Sequence, residues 1–533
     1  MIRRTSAVMW TAAAAVALTT ITGVSQAASG ATAASASTSV VPTDRGAVQG
    51  RSVNGVDSFL GIRYAKAPTG SLRWMPPQPP NAWGGVRQAT SFGSACPQVA
   101  NTNSPLTLDE DCLFLNVWRP AGATATSHLP VLVFIHGGGL STGSGSQHDG
   151  TSFVTQTGIV VVSINYRLGV LGFLGLPALT AQQGESGNYG LLDEIAALKW
   201  VNRNIRAFGG DPARVTIGGE SAGANSVCAL LSSPRAVGLF AGAIMQSGTC
   251  RYTTTEADAE FWGQYTARNA GCPVPAQYLS CLRRLDAQTL LTTWGDQGNE
   301  SVIVGGTPTV PVQPQLAIQQ GSIAKVPVLV GSNRDEGRTL VADDPSLLTK
   351  AEYEDWISNS IYTASLSAIE SAYPWPANPD QFTSRYLTGA IISDNDFGIG
   401  GCPQRHLTDA LAHATTTFEY EFDNRTGPGL RPDPVGFEWG AGHAAELAYM
   451  WPSFYNSVPI NPDRFSTGDK VLSTQMINYW GAFVRNGRPA FSGQHAWPSF
   501  NASHSVMSLR AGTSSTLIST GAFSAEHKCS FWG

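Results

Sequence analysis

The chain has 533 residues, 42% of them hydrophobic and 13% charged, with a formal net charge of −5. That length holds a large buried core, and the slightly acidic balance excludes a nucleic-acid footprint or attraction to an anionic membrane. The 57 glycines and 32 prolines predict many turns and loops between the regular elements.

The N-terminus reads as an export signal. Arg3 and Arg4 supply the positive start, Val8 to Val24 a short apolar stretch, and Ser25-Gln26-Ala27 a small-x-small cleavage site. We therefore expect a signal over residues 1–27, an Ala/Ser-rich linker over 28–39, and a single domain over 40–533. No later stretch is long and apolar enough to span a bilayer, so a secreted protein without stable membrane insertion is expected. Eight cysteines suit an oxidising compartment.

Short apolar runs rich in β-branched residues follow, at Val131–Ile135 and Ile159–Ile164. They predict central strands buried on both faces, as in a parallel sheet. Leu192, Ile195, Ala196, Leu198 and Trp200 give Leu191–Asn202 one broad apolar face, which predicts a helix. Val215–Ile217 reads as a strand, and a Gly-rich turn leads into a small-residue helix from Ala222 to Leu231. Ala243–Met245 and Val326–Val330 look like later strands of the same sheet. Strand alternating with helix argues an α/β class, mostly parallel in its sheet. From Asp343 to Asp396 the pattern turns helical, which suits a cap inserted over the sheet.

The chemistry concentrates in a few motifs. Gly219-Glu220-Ser221-Ala222-Gly223 lies between a predicted strand and helix, the setting in which G-x-S-x-G forms a sharp turn that exposes the serine. A serine hydroxyl needs a base to take its proton and an acid to orient that base. Of nine histidines, His406, His413, His443, His495, His504 and His527 follow the later strands, and the Gly-rich setting of His443 favours it. For the acid, Asp335 and Glu336 are both placed just after the strand ending at Val330, and position does not separate them. His136-Gly-Gly-Gly139 lets the backbone approach a substrate and aim N–H groups at a carbonyl oxygen. Gly138, Gly139 and Ala222 are the expected oxyanion donors. No Gly-Lys-Ser/Thr follows this loop, which argues against a phosphate cradle.

With these motifs the chain resembles the type-B carboxylesterase family, which includes the cholinesterases, from about Val41 to Trp532. The likeness also rests on Phe59-Leu-Gly-Ile-Arg-Tyr-Ala-Lys-Ala-Pro68, Glu110-Asp-Cys-Leu-Phe-Leu-Asn116, Gly187-Asn-Tyr-Gly-Leu-Leu-Asp193 and Phe208-Gly-Gly-Asp-Pro212. The resemblance implies the α/β-hydrolase fold and a Ser221–His443–Glu336 triad, with Ser247 and Glu446 helping to orient the histidine. It implies disulfides Cys96–Cys112, Cys272–Cys281 and Cys402–Cys529, and leaves Cys228 and Cys250 unassigned. It implies hydrolysis of small-molecule carboxylic esters with no cofactor and no metal. No aromatic residue lies between Cys96 and Cys112, where cholinesterases place the Trp that holds the choline cation, so a choline ester is not expected. A lipase or sterol esterase acting on long-chain esters is the alternative reading. A non-catalytic adhesion module, also known in the family, fits less well because all three residues of the triad are present.

Overall fold

The computed structural model describes residues 37–100, 105–296, 301–360, 364–395, 399–429, 434–452, 454–456, 458–459 and 464–533. The expected signal and residues 28–36 of the expected linker lie outside them.

Ser37–Ser39, assigned by sequence to the linker, belong to the first strand. They pair with Gly50–Ser52, and the Ser39 hydroxyl accepts a hydrogen bond from Arg119 at 2.9 Å. Partners distant in sequence thus order a stretch whose composition reads as flexible. Strands β1 (Ser37–Pro42), β2 (Ala47–Val53) and β3 (Val56–Arg63) form an antiparallel meander, with short β4 (Val86–Gln88) beside β2. Next come β5 (Phe114–Pro120), β6 (Leu129–Ile135), β7 (Val160–Ile164), β8 (Gly210–Glu220) and β9 (Gly242–Gln246). The strands Val328–Asn333, Thr417–Phe422, Ser505–Leu509 and Thr516–Ser519 complete a 13-stranded sheet among the described residues. Its order is β1, β2, β3, β5, β7, β6, β8, β9, then those four in chain order. From β7 to Ser505–Leu509 every neighbouring pair is parallel, and both flanks are antiparallel.

Alternation along the parallel strands builds two cores. Val131, Val133, Ile135, Val162, Ile164, Val215 and Ile217 face the helices Tyr189–Asn204 and Ala222–Ser232. Leu132, Phe134, Val161 and Ile244 face the opposite side, where Thr467–Asn486 packs Leu472, Met476, Trp480 and Phe483. That long helix starts at a Ser466/Asp469 capping box and stops at Gly487, which has φ 67°. The predicted helices and central strands are present, most of them longer than the apolar run, although the strand expected over Ile159–Ile164 begins at Val160.

The segment expected as a cap contains the helices Lys350–Asn359, Leu366–Ala372 and Thr383–Asn395. The last of these meets the short helix Gly337–Val341 so closely that a Cβ on Gly337 would lie 2.2 Å from the Gly389 carbonyl oxygen. Disulfides join Cys96–Cys112, Cys272–Cys281 and Cys402–Cys529, as the resemblance implied, and Cys228 pairs with Cys250. No described helix is long and apolar enough to cross a membrane.

Candidate active site

β8 runs straight into the helix Ala222–Ser232, and the residue between them, Ser221, takes φ 54° and ψ −122°. A non-glycine residue accepts that strained conformation only where the surroundings enforce it. Here the Ser221 N–H donates to the Gln246 carbonyl at 2.8 Å, and its carbonyl accepts from Ala224 at 2.9 Å and Asn225 at 3.1 Å. The turn is so tight that a Cβ on Gly219 would lie 2.4 Å from Gly223 C, and one on Gly223 would lie 2.1 Å from Ile135 O. Both motif glycines are therefore steric necessities.

β6 ends at Ile135 and delivers His136-Gly-Gly-Gly139 alongside the turn. Gly138 and Gly139 take φ 101° and 63°, and a Cβ on Gly137 would lie 3.0 Å from Ser221 Cβ. Among the described residues, the N–H groups of Gly138, Gly139 and Ala222 have no acceptor. His136 itself is buried and stacked on Tyr166 at 4.5 Å, with Nδ1 2.8 Å from the Gly137 carbonyl. Burial lowers its pKa to about 4, so it is a neutral prop for the loop.

The strand Val328–Asn333 carries Glu336, and a loop before the short helix Leu447–Met450 carries His443. Glu336 Oε2 lies 2.6 Å from His443 Nδ1, while its Oε1 accepts the Asn333 N–H at 2.7 Å. The His443 N–H donates to the Glu336 carbonyl at 3.1 Å, so side chain and backbone fix the pair together. His443 Nε2 points the other way and sits 3.4 Å from Glu220 Oε1, the residue next to Ser221. Asp335 is excluded as the partner. Its carboxylate takes Arg425 at 2.8 Å and the Ala441 N–H at 3.0 Å.

Glu446 does not touch His443. It accepts from Asn333 Nδ2 at 2.6 Å and Gln246 Nε2 at 3.0 Å, and Asn333 in turn donates to the Gly442 carbonyl at 2.8 Å. It therefore steadies the strand ends and the histidine loop. Ser247 has its hydroxyl buried, with no hydrogen-bond partner among the described residues. Its contribution is the backbone, with φ 50° and an N–H donated to the Gly331 carbonyl at 2.8 Å. Ser221, Glu220, His443 and Gly137–Gly139 line one cavity of about 460 Å³.

The profile described as "Carboxylesterase family" matches residues 37–532. The chain belongs to the carboxylesterase family. This esterase is 36% identical over 495 residues to the fumonisin B1 esterase of Sphingopyxis macrogoltabida, covering 88% of this chain and 85% of the relative. It is 33% identical over 482 residues to the para-nitrobenzyl esterase of Bacillus subtilis (strain 168), covering 87% of this chain and 92% of the relative. The solved structure of a Geobacillus stearothermophilus carboxylesterase superposes with a TM-score of 0.77 at 33% identity, covering 93% of this chain and 100% of that one. The fold is that of the α/β hydrolases, and the protein is a carboxylic-ester hydrolase.

Electrostatics couple His443 to the carboxylates around it. Burial opposes a charge on His443, but Glu220 and Glu336 outweigh it and raise its pKa. Burial likewise raises the pKa of Glu220, against the pull of His443. The two groups titrate as a pair, with the imidazole holding its proton to higher pH than a free histidine. Sequence reasoning missed Glu220, Asn333 and Gln246. Glu220 occupies the unspecified position of G-x-S-x-G, and the other two are ordinary polar residues at strand ends, so nothing in the pattern marks them.

Proposed function

We propose that this esterase cleaves small carboxylic esters through an acyl-enzyme on Ser221, with His443 as the base and Glu336 as the acid that orients it. The observation carrying this reading is the 2.6 Å contact of Glu336 with His443 at the cavity that Ser221 and the triple glycine also line. Ser221 Oγ attacks the ester carbonyl as its proton passes to His443 Nε2. Glu336 keeps Nδ1 protonated and offsets the positive ring. The N–H groups of Gly138, Gly139 and Ala222 receive the oxyanion, and loss of one such donor costs about 3 kcal/mol in the transition state. The alcohol leaves with the proton from Nε2, and water then repeats the sequence on the acyl-enzyme.

A cavity of about 460 Å³ lies within the range of small-molecule sites, which favours compact esters over long lipid chains. The relative named for para-nitrobenzyl esters makes such an ester a suitable first substrate. Export belongs to the same proposal, supported by the signal-like residues 1–27 and by eight cysteines that pair without remainder. Ser221→Ala is expected to fold normally and to lose about 10⁶-fold in kcat on a p-nitrobenzyl ester. A variant that kept a tenth of the activity would end this mechanism. A p-nitrophenyl series from acetate to palmitate should peak at short chains, and a maximum at palmitate would establish the lipase reading instead.

A further inference from the structure

Gly138 and Gly139 share one peptide unit, with the Gly138 carbonyl on one edge and the Gly139 N–H on the other. In a trans peptide, the form nearly every non-proline bond takes, these groups point in opposite directions, so whatever holds the carbonyl aims the N–H. The Gly138 carbonyl accepts three hydrogen bonds, from the Ser141 N–H at 3.0 Å, the Thr142 N–H at 2.9 Å and the Thr142 hydroxyl at 3.1 Å. The Gly139 N–H has no acceptor among the described residues. Thr142 is 5% exposed and lines the same cavity as Ser221. It stands so close that a Cβ on Gly138 would lie 2.7 Å from Thr142 Oγ1.

The turn by itself gives that peptide little reason to keep its orientation. Gly138, Gly139 and Leu140 take φ 101°, 63° and 55° in succession. Glycine accepts either sign of φ, so no side chain bars a Gly–Gly peptide from turning over. Leu140 does carry a side chain, and it holds a conformation that its surroundings must enforce. Turning the peptide over would withdraw the Gly139 N–H and offer a carbonyl oxygen in its place. The bonds on the Gly138 carbonyl oppose this. They also polarise the peptide, because accepting hydrogen bonds at the carbonyl makes the N–H of the same unit a stronger donor. A threonine hydroxyl often bonds a carbonyl four residues back merely to satisfy itself. Here the acceptor belongs to the peptide whose other edge is the expected oxyanion donor.

We propose that Thr142 is a positioning residue for the oxyanion hole, its hydroxyl holding the Gly138–Gly139 peptide with the Gly139 N–H turned towards the developing oxyanion. The inference rests on the proposed Ser221 mechanism, which makes that N–H a donor. Thr142 acts through the peptide and touches no reacting atom. Its effect therefore belongs to the transition state, where the oxyanion exists, and not to ground-state binding.

The test uses the whole mature enzyme, a p-nitrobenzyl ester, and a pair of inhibitors that differ in whether they load the hole. With a benzyl trifluoromethyl ketone, Ser221 Oγ bonds to the carbonyl carbon, its proton goes to His443, and the carbonyl electron pair becomes an oxyanion. p-Nitrobenzyl alcohol binds without one. Thr142→Val keeps the shape and the backbone donors and removes only the hydroxyl. It is expected to lower kcat about tenfold or more, per site counted by organophosphate titration, with KM unchanged. Affinity for the ketone should fall by the same factor, affinity for the alcohol should hold, and Thr142→Ser should restore the rate. If Thr142→Val is insoluble, Thr142→Ala is compared with Thr142→Ser in the same way. Wild-type kcat without the hydroxyl, no rescue by serine, or equal weakening of ketone and alcohol would overturn the proposal. Failure of the underlying mechanism looks different: Ser221→Ala would stay active, and wild type would hold the ketone no more tightly than the alcohol.

Discussion

His443 and His527 are both held by carboxylates in the interior, yet they occupy their sites differently. His443 gives one nitrogen to Glu336 at 2.6 Å and turns the other towards Glu220 and the cavity, with 13% of its side chain exposed. His527 spends both nitrogens, on Asp394 at 2.9 Å and Glu421 at 2.8 Å, and is fully enclosed near the Cys402–Cys529 disulfide. Burial and carboxylate pairing are common to the two. On the proposed mechanism, what separates a reactive histidine from a structural one is a second nitrogen left open to a cavity that Ser221 also lines.

The contrast breaks most sharply under substitution of each ring. His443→Ala should lower kcat by about 10⁶-fold with little change in stability, measured by steady-state kinetics and urea unfolding. Glu336→Gln, which keeps the shape and loses the charge, is expected to cost about 10⁴-fold in kcat. His527→Gln should do the reverse, leaving kcat per folded molecule intact and removing about 3–5 kcal/mol of stability, as losing one member of a buried pair does. If His527→Gln abolished activity in a protein of native stability, the division of roles would be wrong.

Titration sharpens the comparison. Burial opposes a charge on His527, but Asp394 and Glu421 outweigh it, with Arg334 a minor opposing charge, and its pKa rises to about 9. A histidine whose folded pKa exceeds its unfolded value near 6.5 contributes fully below that value. The contribution then disappears as pH climbs through about 9. Urea midpoints at pH 6 and pH 10 should therefore differ more in wild type than in His527→Gln. For His443 the readout is rate. Its neutral form is the base, so the acid limb of kcat/KM should lie above pH 6.5, and Glu220→Gln should move that limb to lower pH. A limb that stayed in place would remove Glu220 from the account.

How much of this was legible in the sequence varied with the kind of signal. Central strands such as Val131–Ile135 announce themselves because both faces are apolar. Thr417–Phe422 escaped notice, although it is wholly buried, because Glu419 and Glu421 give it the look of a half-exposed strand. Arg405 and His527, one of them more than a hundred residues away, neutralise those glutamates, and sequence periodicity carries no trace of such pairing. The nucleophile turn and triple glycine were legible because close backbone approach allows little but glycine there. Asp335 and Glu336 differ by a single step along the chain, which sends one to Arg425 and the other to His443. Only family likeness separated them before the coordinates did.

The Cys402–Cys529 bridge spans 127 residues and includes the loop that presents His443. A protease cut anywhere inside that span leaves two pieces still covalently joined. Nicked enzyme would migrate as intact chain on a non-reducing gel and separate into fragments only once thiol is added, so apparent purity depends on how the sample is prepared.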